Sequence, residues 1–551
     1  MEILYNARIY TLENSQPIVS AIAIEHGRVV AVGETDELSS EFERAGKKDM
    51  GGRIILPGLT DAHLHLEQYA LSLQKIDCET DRLDECLRRV EDRVRFAHPG
   101  EWILGHGWNQ NNWFPSPLGG SSGVLREGDR GEGWPSATDL DRIAPNNPVY
   151  LTAKSLHAAW VNSVALKKAG LTSSSPDPAN GQLQRDADGQ LTGILLETAM
   201  ELIGKIIPEP TVDTIAEAIE QVQPILFRMG LTGVHDFDRR DCFMALQQLH
   251  SNSKLNLRVT KSIPLDDLDH AVGLGLRTGF GDEWLRIGSV KAFMDGALGP
   301  RTAAMFQPYL NEPGNRGILN MDAEELFEAG RKAVEVGLSM AVHAIGDRAN
   351  HEVLDAYEQL RRFEQDRNPS IRLRAGLPPL RHRIEHVQVI HPDDAGRLAE
   401  LGIIASMQPI HATSDMRMAD QYWGERAALS YAWSTQLQNG AQLAFGSDAP
   451  VESPNPFWGL HAAVTRQRAD GSPGIDGWYP EQRLSMQQAI EGYTLGAAYA
   501  AGMEDRLGKL APGYLADLIV LEQDPFVISP ADMLEMESSA TMVDGEWVWQ
   551  S

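Results

Sequence analysis

The sequence predicts an α/β protein: a (β/α)8 TIM-like barrel with a composite β-sandwich domain and a long insertion after the first barrel strand. Three observations lead to this prediction. Short apolar strands alternate with amphipathic helices through the middle of the chain, and this arrangement produces a parallel sheet. Eight strand-like runs occur there, the number that closes a barrel. Both ends of the chain are instead rich in β-branched runs separated by turn residues.

The two chain ends, residues 1–56 and 505–551, are expected to form one domain. The first contains the runs MEILYNARIYTLE, SAIAIEHGRVVAVG and GRIIL. The second contains ADLIVLEQDP and SATMVDGEWVWQS, with Asp544-Gly545 as a hairpin signal. Neither end alone has enough strands to bury a core, so a single composite β-sandwich is expected. Two separate β patches are the alternative.

The barrel is expected over residues 57–504. Its helical segments include TIAEAIEQVQPILFRMG and DAEELFEAGRKAVEVG, each of which ends in glycine, a helix-stop signal. An insertion at 70–220 separates the first two strands, and its stretch 113–136, rich in Gly, Pro and Ser, is expected to be an exposed loop. The eight strands are expected in IILPGLTDAHLH, GVHDF, LRVTKSI, RIGSVKAFMDG, SMAVHAIGD, RHRIEHVQV, IIASMQP and QLAFGSDAP.

The composition argues against several classes of protein. The net charge of −28 disfavours a nucleic-acid partner and docking on an anionic membrane. No apolar run reaches the ~18 residues that a membrane span needs, and the first residues lack the features of a signal peptide. The three cysteines form no CxxC pair and no disulfide framework. We therefore expect a cytoplasmic protein with a small-molecule substrate and neither a nucleic-acid nor a membrane partner; a homodimer is left open.

Two histidines in the segment LPGLTDAHLHLE raise the question of a metal site. Residues i and i+2 of a strand point to the same face, so His63 and His65 can face one point. Imidazole and carboxylate suit zinc and similar divalent metals. A single histidine in an apolar strand is usually an ordinary core or surface residue, but several metal-capable residues at strand ends indicate a site at the top of a barrel. The others are Lys291, His343, His386 and Asp448.

These motifs resemble a known family. The segment PGLTDAHLHLE resembles the first-strand signature of the amidohydrolase superfamily. The segment RLGKLAPGYLADLIVLEQDPF resembles the strand pair that closes the composite β-domain of those enzymes. Further segments narrow the resemblance to amidohydrolase family 3, which includes N-substituted formamide deformylase-like hydrolases. They are WILGHGWNQNNW, SLHAAWVNSVAL, VKAFMDGALGPRTAAM, AVHAIGDRAN, RIEHVQV, MQPIHATSDM and FGSDAPVESPNPFWGL.

The resemblance implies a set of metal ligands and a modified lysine. One or two divalent metals, most readily zinc, are expected. Lys291 lies where many members of the superfamily carry a carboxylated lysine that bridges two metals. A charged residue paired with Asp295 is the alternative for this lysine. The implied ligands are His63, His65, Lys291, His343, His386 and Asp448.

The resemblance also implies residues near the substrate. We expect His157, Trp160, Asn162 and His411 to line the pocket, with structural capping as the alternative for the two histidines. His235, at the end of the run GVHD, is expected either to orient a metal ligand from behind or to be a packed strand end.

The implied reaction is hydrolysis of a C–N bond in an amide, formamide or cyclic amide. A divalent metal activates water and polarises the carbonyl, and Asp448 would take the proton from that water and pass it to the leaving amine. His386 and His235 would stabilise the oxyanion or orient ligands. No GxSxG elbow with a triad is present, which disfavours a serine hydrolase. The alternatives are a non-catalytic regulatory or binding protein on the same scaffold, and a metal-dependent lyase or isomerase on the same barrel.

Overall fold

The structure is a computed structural model in which the chain divides into two compact units. The first comprises Met1–Tyr69 and Val212–Ser551, and the second comprises Ala70–Thr211. The predicted insertion, 70–220, runs past the end of the second unit, because the helix Val212–Arg228 belongs to the first. The structure describes residues 1–109, 113, 134–153, 158–179, 181–367 and 379–551.

Eight parallel strands form the barrel of the first unit, as predicted. Each strand pairs in parallel with the next along the chain. Beyond the ends of the last and first strands, the backbone N–H of Asp448 donates a hydrogen bond to the carbonyl of His63 at 2.7 Å. The strands are β1 (Leu59–Leu64), β2 (Leu231–Asp236), β3 (Arg258–Pro264), β4 (Leu285–Phe293), β5 (Met340–Ala344), β6 (Arg383–His386), β7 (Ile404–Met407) and β8 (Leu443–Phe445).

The run IILPGLTDAHLH, predicted to be one strand, is two. Ile54–Pro57 belongs to the sheet of the chain ends, and β1 starts at Leu59 after a break at Gly58. A β-carbon on Gly58 would lie 2.3 Å from Oγ1 of Thr232. The single-strand prediction is therefore wrong at this residue, where the close approach of β2 requires glycine and the chain passes from one sheet to the other.

Strands from both ends of the chain lie in one sheet. They form one branched sheet, where a sandwich of two sheets was predicted. The reason is the long strand Glu2–Tyr10, which has a register shift between Tyr5 and Ile9, and whose two parts pair with Gly46–Asp49 and Ile54–Pro57. Apolar residues of both chain ends share one core. In sheet order the strands are Glu546–Gln550, Ala540–Val543, Leu518–Leu521, Ile54–Pro57, Glu2–Tyr10, Ile18–Glu25 and Arg28–Gly33, with Gly46–Asp49 beside Glu2–Tyr10.

The second unit contains a mixed six-stranded sheet that the sequence analysis did not predict. Its core includes the buried Trp108 and Trp160. Most of the predicted exposed loop, 113–136, lies outside the described residues. In sheet order the strands are Gly181–Arg185, Leu191–Glu197, Ala158–Val161, Val149–Ala153, Ile103–Trp108 and Ile76–Asp77.

Helices connect the barrel strands and cap the sheets. The two helices predicted from glycine stop signals are present, and the second ends at Gly337 with a φ of +89°, a conformation that favours glycine. None of the helices in the described ranges is long and apolar enough to cross a membrane. The α-helices are Thr35–Glu41, Leu66–Ser72, Leu83–Val94, Ala137–Asp141, Ser163–Lys168, Glu201–Gly204, Val212–Arg228, Arg240–Ser251, Leu268–Leu274, Ala323–Val336, Asp347–Arg367, Arg397–Leu401, Pro409–Trp423, Trp433–Gln438, Pro456–Thr465, Met486–Glu491, Ala497–Ala501 and Pro530–Met533.

Candidate metal centre

The first group of metal-capable residues consists of His63, His65 and Asp448, which lie in or just after the first and last strands of the barrel sheet. His63 lies near the end of β1, His65 follows that strand, and Asp448 follows β8. Oδ1 of Asp448 lies 3.4 Å from Nε2 of His63 and 3.5 Å from Nε2 of His65. The prediction that the two histidines face one point is therefore matched by the geometry. These three side chains offer ligand atoms within 4.8 Å of one another.

Asp448 is positioned by backbone and side-chain contacts around the tip of β8. Its φ of +61° lies in the left-handed region that most residues avoid. The neighbouring Ser447 donates its hydroxyl to Oδ2 of Asp61 at 2.5 Å. Burial raises the pKa of Asp448, but the hydrogen bond from His65 and the charges of nearby histidines hold it well below its usual range. The carboxylate is therefore ionised at neutral pH and faces the imidazole rings.

The other ring nitrogen of each of three histidines is held by a buried acceptor. Nδ1 of His63 lies 2.6 Å from Oε2 of Glu385, and Nδ1 of His65 lies 3.1 Å from Oδ1 of Asp238. Since a carboxylate only accepts, Nδ1 carries the hydrogen, and Nε2 is the nitrogen left to bind a metal when the ring is neutral. His386 repeats the arrangement, with Nδ1 2.8 Å from the amide oxygen of Gln408. This pattern is typical of metal-binding histidines, whose second nitrogen donates to a carboxylate or carbonyl.

The two N-terminal histidines differ in the charge that their surroundings favour. Burial and the charge of Lys291 lower the pKa of His63 to about 4, which favours the neutral, ligand-competent ring. Burial also acts to lower the pKa of His65, but hydrogen bonds to Asp238 and Asp448 raise it to about 9. A divalent cation between the rings and Asp448 would replace the proton that these carboxylates attract to His65.

His343, in β5, differs from the other histidines in that Nδ1, and not Nε2, is left for a ligand. Its Nε2 lies 3.0 Å from the carbonyl oxygen of Gly296 and donates to it, which leaves Nδ1 for a ligand. The ring centroid lies 4.5 Å from that of His386. Burial, and next the charge of Lys291, lower the pKa of His343 to about 4. His343 thus lies beside the group formed by the other histidines as a neutral imidazole.

Lys291, in β4, is buried next to these histidines. Its Nζ lies 4.6 Å from the ring of Phe237, which itself stacks on His63 at 4.1 Å. Burial lowers the pKa of Lys291 to about 8. The alternative in which it pairs with Asp295 is wrong, because that carboxylate instead accepts three backbone N–H groups. They are those of Ala304, Ile345 and Gly346, at 2.8, 3.0 and 2.8 Å.

His411 joins the same cluster from the helix that follows β7. Its Nε2 lies 3.9 Å from Oδ2 of Asp448, and its ring is stacked parallel to that of His386 at 6.1 Å. His411 is expected from the sequence to line the substrate pocket. The structure places it where it can also serve as a ligand, since the ligand atoms of His386, His411 and Asp448 lie within 4.8 Å of one another.

The donor set fits a divalent cation. Nε2 of His63 and Nε2 of His411 are buried, and neither makes a hydrogen bond within the described residues. A buried nitrogen without a partner is costly, and a cation at the shared carboxylate would satisfy both. Neutral imidazoles with one carboxylate form the ligand chemistry that zinc prefers.

His235 is not brought together with the metal-capable residues. Its Nδ1 instead accepts a hydrogen bond from Arg383 at 3.0 Å, and the ring is buried. Burial and the positive charge of Arg383 hold its pKa well below the usual value. Arg383 also donates to Glu385, the carboxylate that holds His63. Among the described residues, hydrogen bonds link His235 to the site through Arg383 and Glu385, which fits the role of a residue behind the ligands better than that of an oxyanion donor.

The remaining predicted pocket residues belong to the second unit. Asn162 begins the helix Ser163–Lys168, and its oxygen accepts from the backbone N–H of Val149 and of Ala165 at 3.0 Å each. Trp160 is buried and donates its indole N–H to the carbonyl of Ser136 at 2.8 Å. Both residues thus have structural roles within that unit, and their substrate-binding role stays a prediction. His157 lies outside the described residues.

The residues that hold the ligands were not expected from the sequence. Glu385, Asp238 and Gln408 contact the three histidines, and none of them was expected at the site, although Glu385 and Gln408 lie in the segments RIEHVQV and MQPIHATSDM. The signal that could have found Glu385 is its place in an apolar strand between Arg383 and His386, where an unpaired acid is unfavourable. A cavity of about 460 Å³ adjoins the site and is lined in part by His65, Lys291 and Phe237.

The chain is similar to known proteins of one family over most of its length. The model of the amidohydrolase family matches residues 48–549. The protein LONG AFTER FAR-RED 3 of Arabidopsis thaliana is 35% identical over 94% of this chain and 86% of its own. The N-substituted formamide deformylase of Arthrobacter pascens is 27% identical over 98% of this chain and 97% of its own.

A solved structure shares the whole fold. It is the crystal structure of an uncharacterized metal-dependent hydrolase from Pyrococcus furiosus, with a TM-score of 0.75 and 30% identity, and the match covers 95% of this chain and 99% of that one. The family match covers most of the sequence, including all eight barrel strands and the second unit, and begins after the first three strands of the end sheet. The protein therefore belongs to the amidohydrolase family, in the branch described by the amidohydrolase 3 model.

Proposed function

We propose that the protein hydrolyses a C–N bond in an amide, formamide or cyclic amide with the aid of a divalent metal, most readily zinc. The observation that carries the proposal is the convergence of Nε2 of His63 and Nε2 of His65 on one oxygen of Asp448. Carboxylates hold the opposite nitrogens, so the lone pairs are fixed in direction. The residues that would hold the metal are His63, His65, His343, His386 and Asp448, with His411 as an additional candidate.

Within this proposal Asp448 moves the proton. A bound divalent metal lowers the pKa of water from ~16 towards ~7 and polarises a carbonyl. The ionised carboxylate of Asp448 accepts the proton that the attacking water loses and returns it to the nitrogen of the leaving amine. Its Oδ2 faces Nε2 of His411 at 3.9 Å. When Nε2 of His411 carries a hydrogen and binds no metal, it can donate a hydrogen bond to the substrate oxygen as negative charge develops there.

Lys291 would supply a second set of oxygen ligands. A free ammonium cannot bind a metal, but its neutral amine can attack the carbon of CO2 and, after loss of one proton, carry a carbamate with two oxygens. Lys291 is buried beside the histidines and forms no ion pair with a carboxylate in the described ranges of the chain. A carbamate at this position would be consistent with a site for two metals. An unmodified lysine would be consistent with a site for one metal.

The comparisons support the reaction class. One full-length relative is named as an N-substituted formamide deformylase, whose name states removal of a formyl group from nitrogen. The solved relative from Pyrococcus furiosus is titled a metal-dependent hydrolase. Both descriptions agree with a site made of imidazoles, a carboxylate and a buried lysine.

The test combines metal content with turnover. Protein purified without chelators is analysed for metals and by intact mass for the addition of one CO2, and it is assayed for amine release from N-formyl amines, N-acyl amines and cyclic amides. We expect bound metal, turnover of at least one class, loss of turnover on removal of the metal and recovery with zinc. Full metal occupancy with no turnover across the three classes would favour the non-catalytic alternative. Turnover that is unchanged after the metal has been removed would overturn the proposal.

A further inference from the structure

A second cavity lies at the end of the barrel opposite to the metal centre. Its volume is about 460 Å³, and Arg286 and Arg506 line it. Arg286 is the second residue of β4, whereas Lys291 lies towards the other end of that strand. Arg506 comes from the segment after the helix Ala497–Ala501. All the residues of this cavity belong to the first unit, and none belongs to the metal centre.

The guanidinium of Arg286 makes few direct contacts in the described part of the chain. It forms no ion pair among the described residues, and its buried Nε makes no hydrogen bond there. Its terminal nitrogen donates only a long hydrogen bond of 3.4 Å to the carbonyl of Gly279. Buried charges in proteins are normally paired and hydrogen-bonded, because removal from water is otherwise costly. The structure therefore leaves most of the hydrogen-bonding capacity of Arg286 unused.

Two carboxylates also line the cavity, and both are committed to other groups. Asp282 accepts the backbone N–H groups of Trp284 and Leu285 at 2.8 and 2.9 Å and also contacts His250 at 2.7 Å. Glu283 pairs with Arg28 at 2.7 Å.

Within the described residues, the ion pair of Asp505 is with Nε of Arg506, at 2.9 Å. The terminal nitrogens of Arg506 are therefore left beside the cavity together with those of Arg286. Burial lowers the pKa of Arg286, and the positive charge of Arg506 lowers it further, so the two guanidinium groups repel one another.

We propose that this cavity binds the oxyanion group of a small molecule, a phosphate or a carboxylate, between Arg286 and Arg506. Guanidinium groups match the geometry of both oxyanions and form two parallel hydrogen bonds to them. The volume is within the range of small-molecule pockets and exceeds what a bare ion fills. The ring of Trp284 also lines the cavity, so the ligand has room for an organic part against an apolar wall.

The experiment measures anion binding by calorimetry on the full-length protein with its metal. Inorganic phosphate and citrate are titrated separately at constant ionic strength, with chloride as the balancing salt. Binding of phosphate alone would identify a phosphate-bearing ligand, and binding of citrate alone a carboxylate-bearing one. The variants Arg286→Gln and Arg506→Gln each remove one charged donor, and we expect roughly tenfold weaker binding in either.

Arg331→Gln is the matched control, because Arg331 lies on the helix Ala323–Val336 in ion pairs with Glu328 and Glu335. Anions held at the metal centre would bind equally to all three variants and the wild type. If Arg286→Gln fails to fold, Arg506→Gln alone tests the proposal. The side chain of Arg506 is already 37% exposed, so its replacement should leave the fold intact. The proposal is overturned if the wild type binds neither anion at tens of millimolar, or if Arg506→Gln binds as the wild type does.

Discussion

Nδ1 of His63 lies 2.6 Å from Oε2 of Glu385, and both side chains are fully buried. Burial raises the pKa of Glu385, but the charge of Arg383 and the contact with His63 hold it well below its usual range. The carboxylate is therefore ionised and accepts the hydrogen of Nδ1. This contact fixes the direction of the opposite nitrogen, which faces Asp448.

The first prediction concerns this contact. Glu385→Gln keeps the hydrogen-bond acceptor and the shape but removes the negative charge, so the ring of His63 becomes a poorer ligand. We expect zinc affinity to fall roughly 10- to 100-fold, measured by equilibrium dialysis against a competing chelator. Glu400→Gln, an exposed change on the same unit, is the control. Equal zinc affinity in the two variants would contradict the role of Glu385.

The second prediction removes the paired ligands of β1. In the double variant His63→Ala with His65→Ala, two of the nitrogens that face Asp448 are lost. We expect most of the metal to be absent after purification without chelators, as measured by elemental analysis. His270→Ala, at a position that is 83% exposed, is the control and should keep a full complement. Retention of metal by the double variant would show that the centre is elsewhere.

The third prediction tests how the C-terminal segment is attached to the barrel. Arg258, in β3, binds Asp517 through Nε at 2.5 Å and a terminal nitrogen at 2.8 Å, and both side chains are buried. Asp517→Asn removes the buried charge partner of Arg258 and leaves the longer contact to Asp544 at 3.4 Å, so we expect a loss of about 3–5 kcal/mol in the free energy of unfolding. Urea denaturation measures it. Asp269→Asn, at a 79% exposed position, should change stability by less than about 0.5 kcal/mol.

Much of the first unit could be predicted from the sequence because its signals are local. All eight barrel strands occur where short apolar runs indicated them. His63 and His65 could be paired on one face because the period of a strand is two residues. The run IILPGLTDAHLH was counted as one strand although residues 54–56 were assigned to the end domain and residues from 57 onward to the barrel, so its division at Gly58 was missed. The sheet of the second unit was missed as well.

The supporting residues of the site could not be predicted for a related reason. Glu385 holds a histidine that lies 322 residues earlier in the chain, and Asp238 holds one 173 residues earlier. A contact of this kind depends on strand order and on which face each side chain occupies. The spacing of residues along the sequence therefore does not indicate such a contact. His411 illustrates the same limit, because it reaches Asp448 from a helix after β7 and not from a strand end.

The last prediction concerns Asp448 as the proton carrier. Asp448→Asn keeps the size of the side chain and one oxygen but removes the basic site. General acid and base catalysis contributes ~10²–10⁴-fold in rate, so we expect turnover to fall by that range or more. The measurement is amine release from the substrate class that the screen identifies, with metal content determined on the same preparation. Metal should be largely retained because the histidine ligands remain.

The competing explanation is that Asp448 only caps the turn that follows β8. In the structure Ser447 does this instead, since its hydroxyl oxygen accepts the backbone N–H of Ala449 at 3.1 Å. The side chain of Asp448 faces the histidines. Asparagine caps nearly as well as aspartate, so a capping role predicts near-normal turnover for Asp448→Asn. Asp393→Asn, at an 89% exposed position, is the control. Turnover of Asp448→Asn within about threefold of this control, with metal bound, would refute the proton-carrying role.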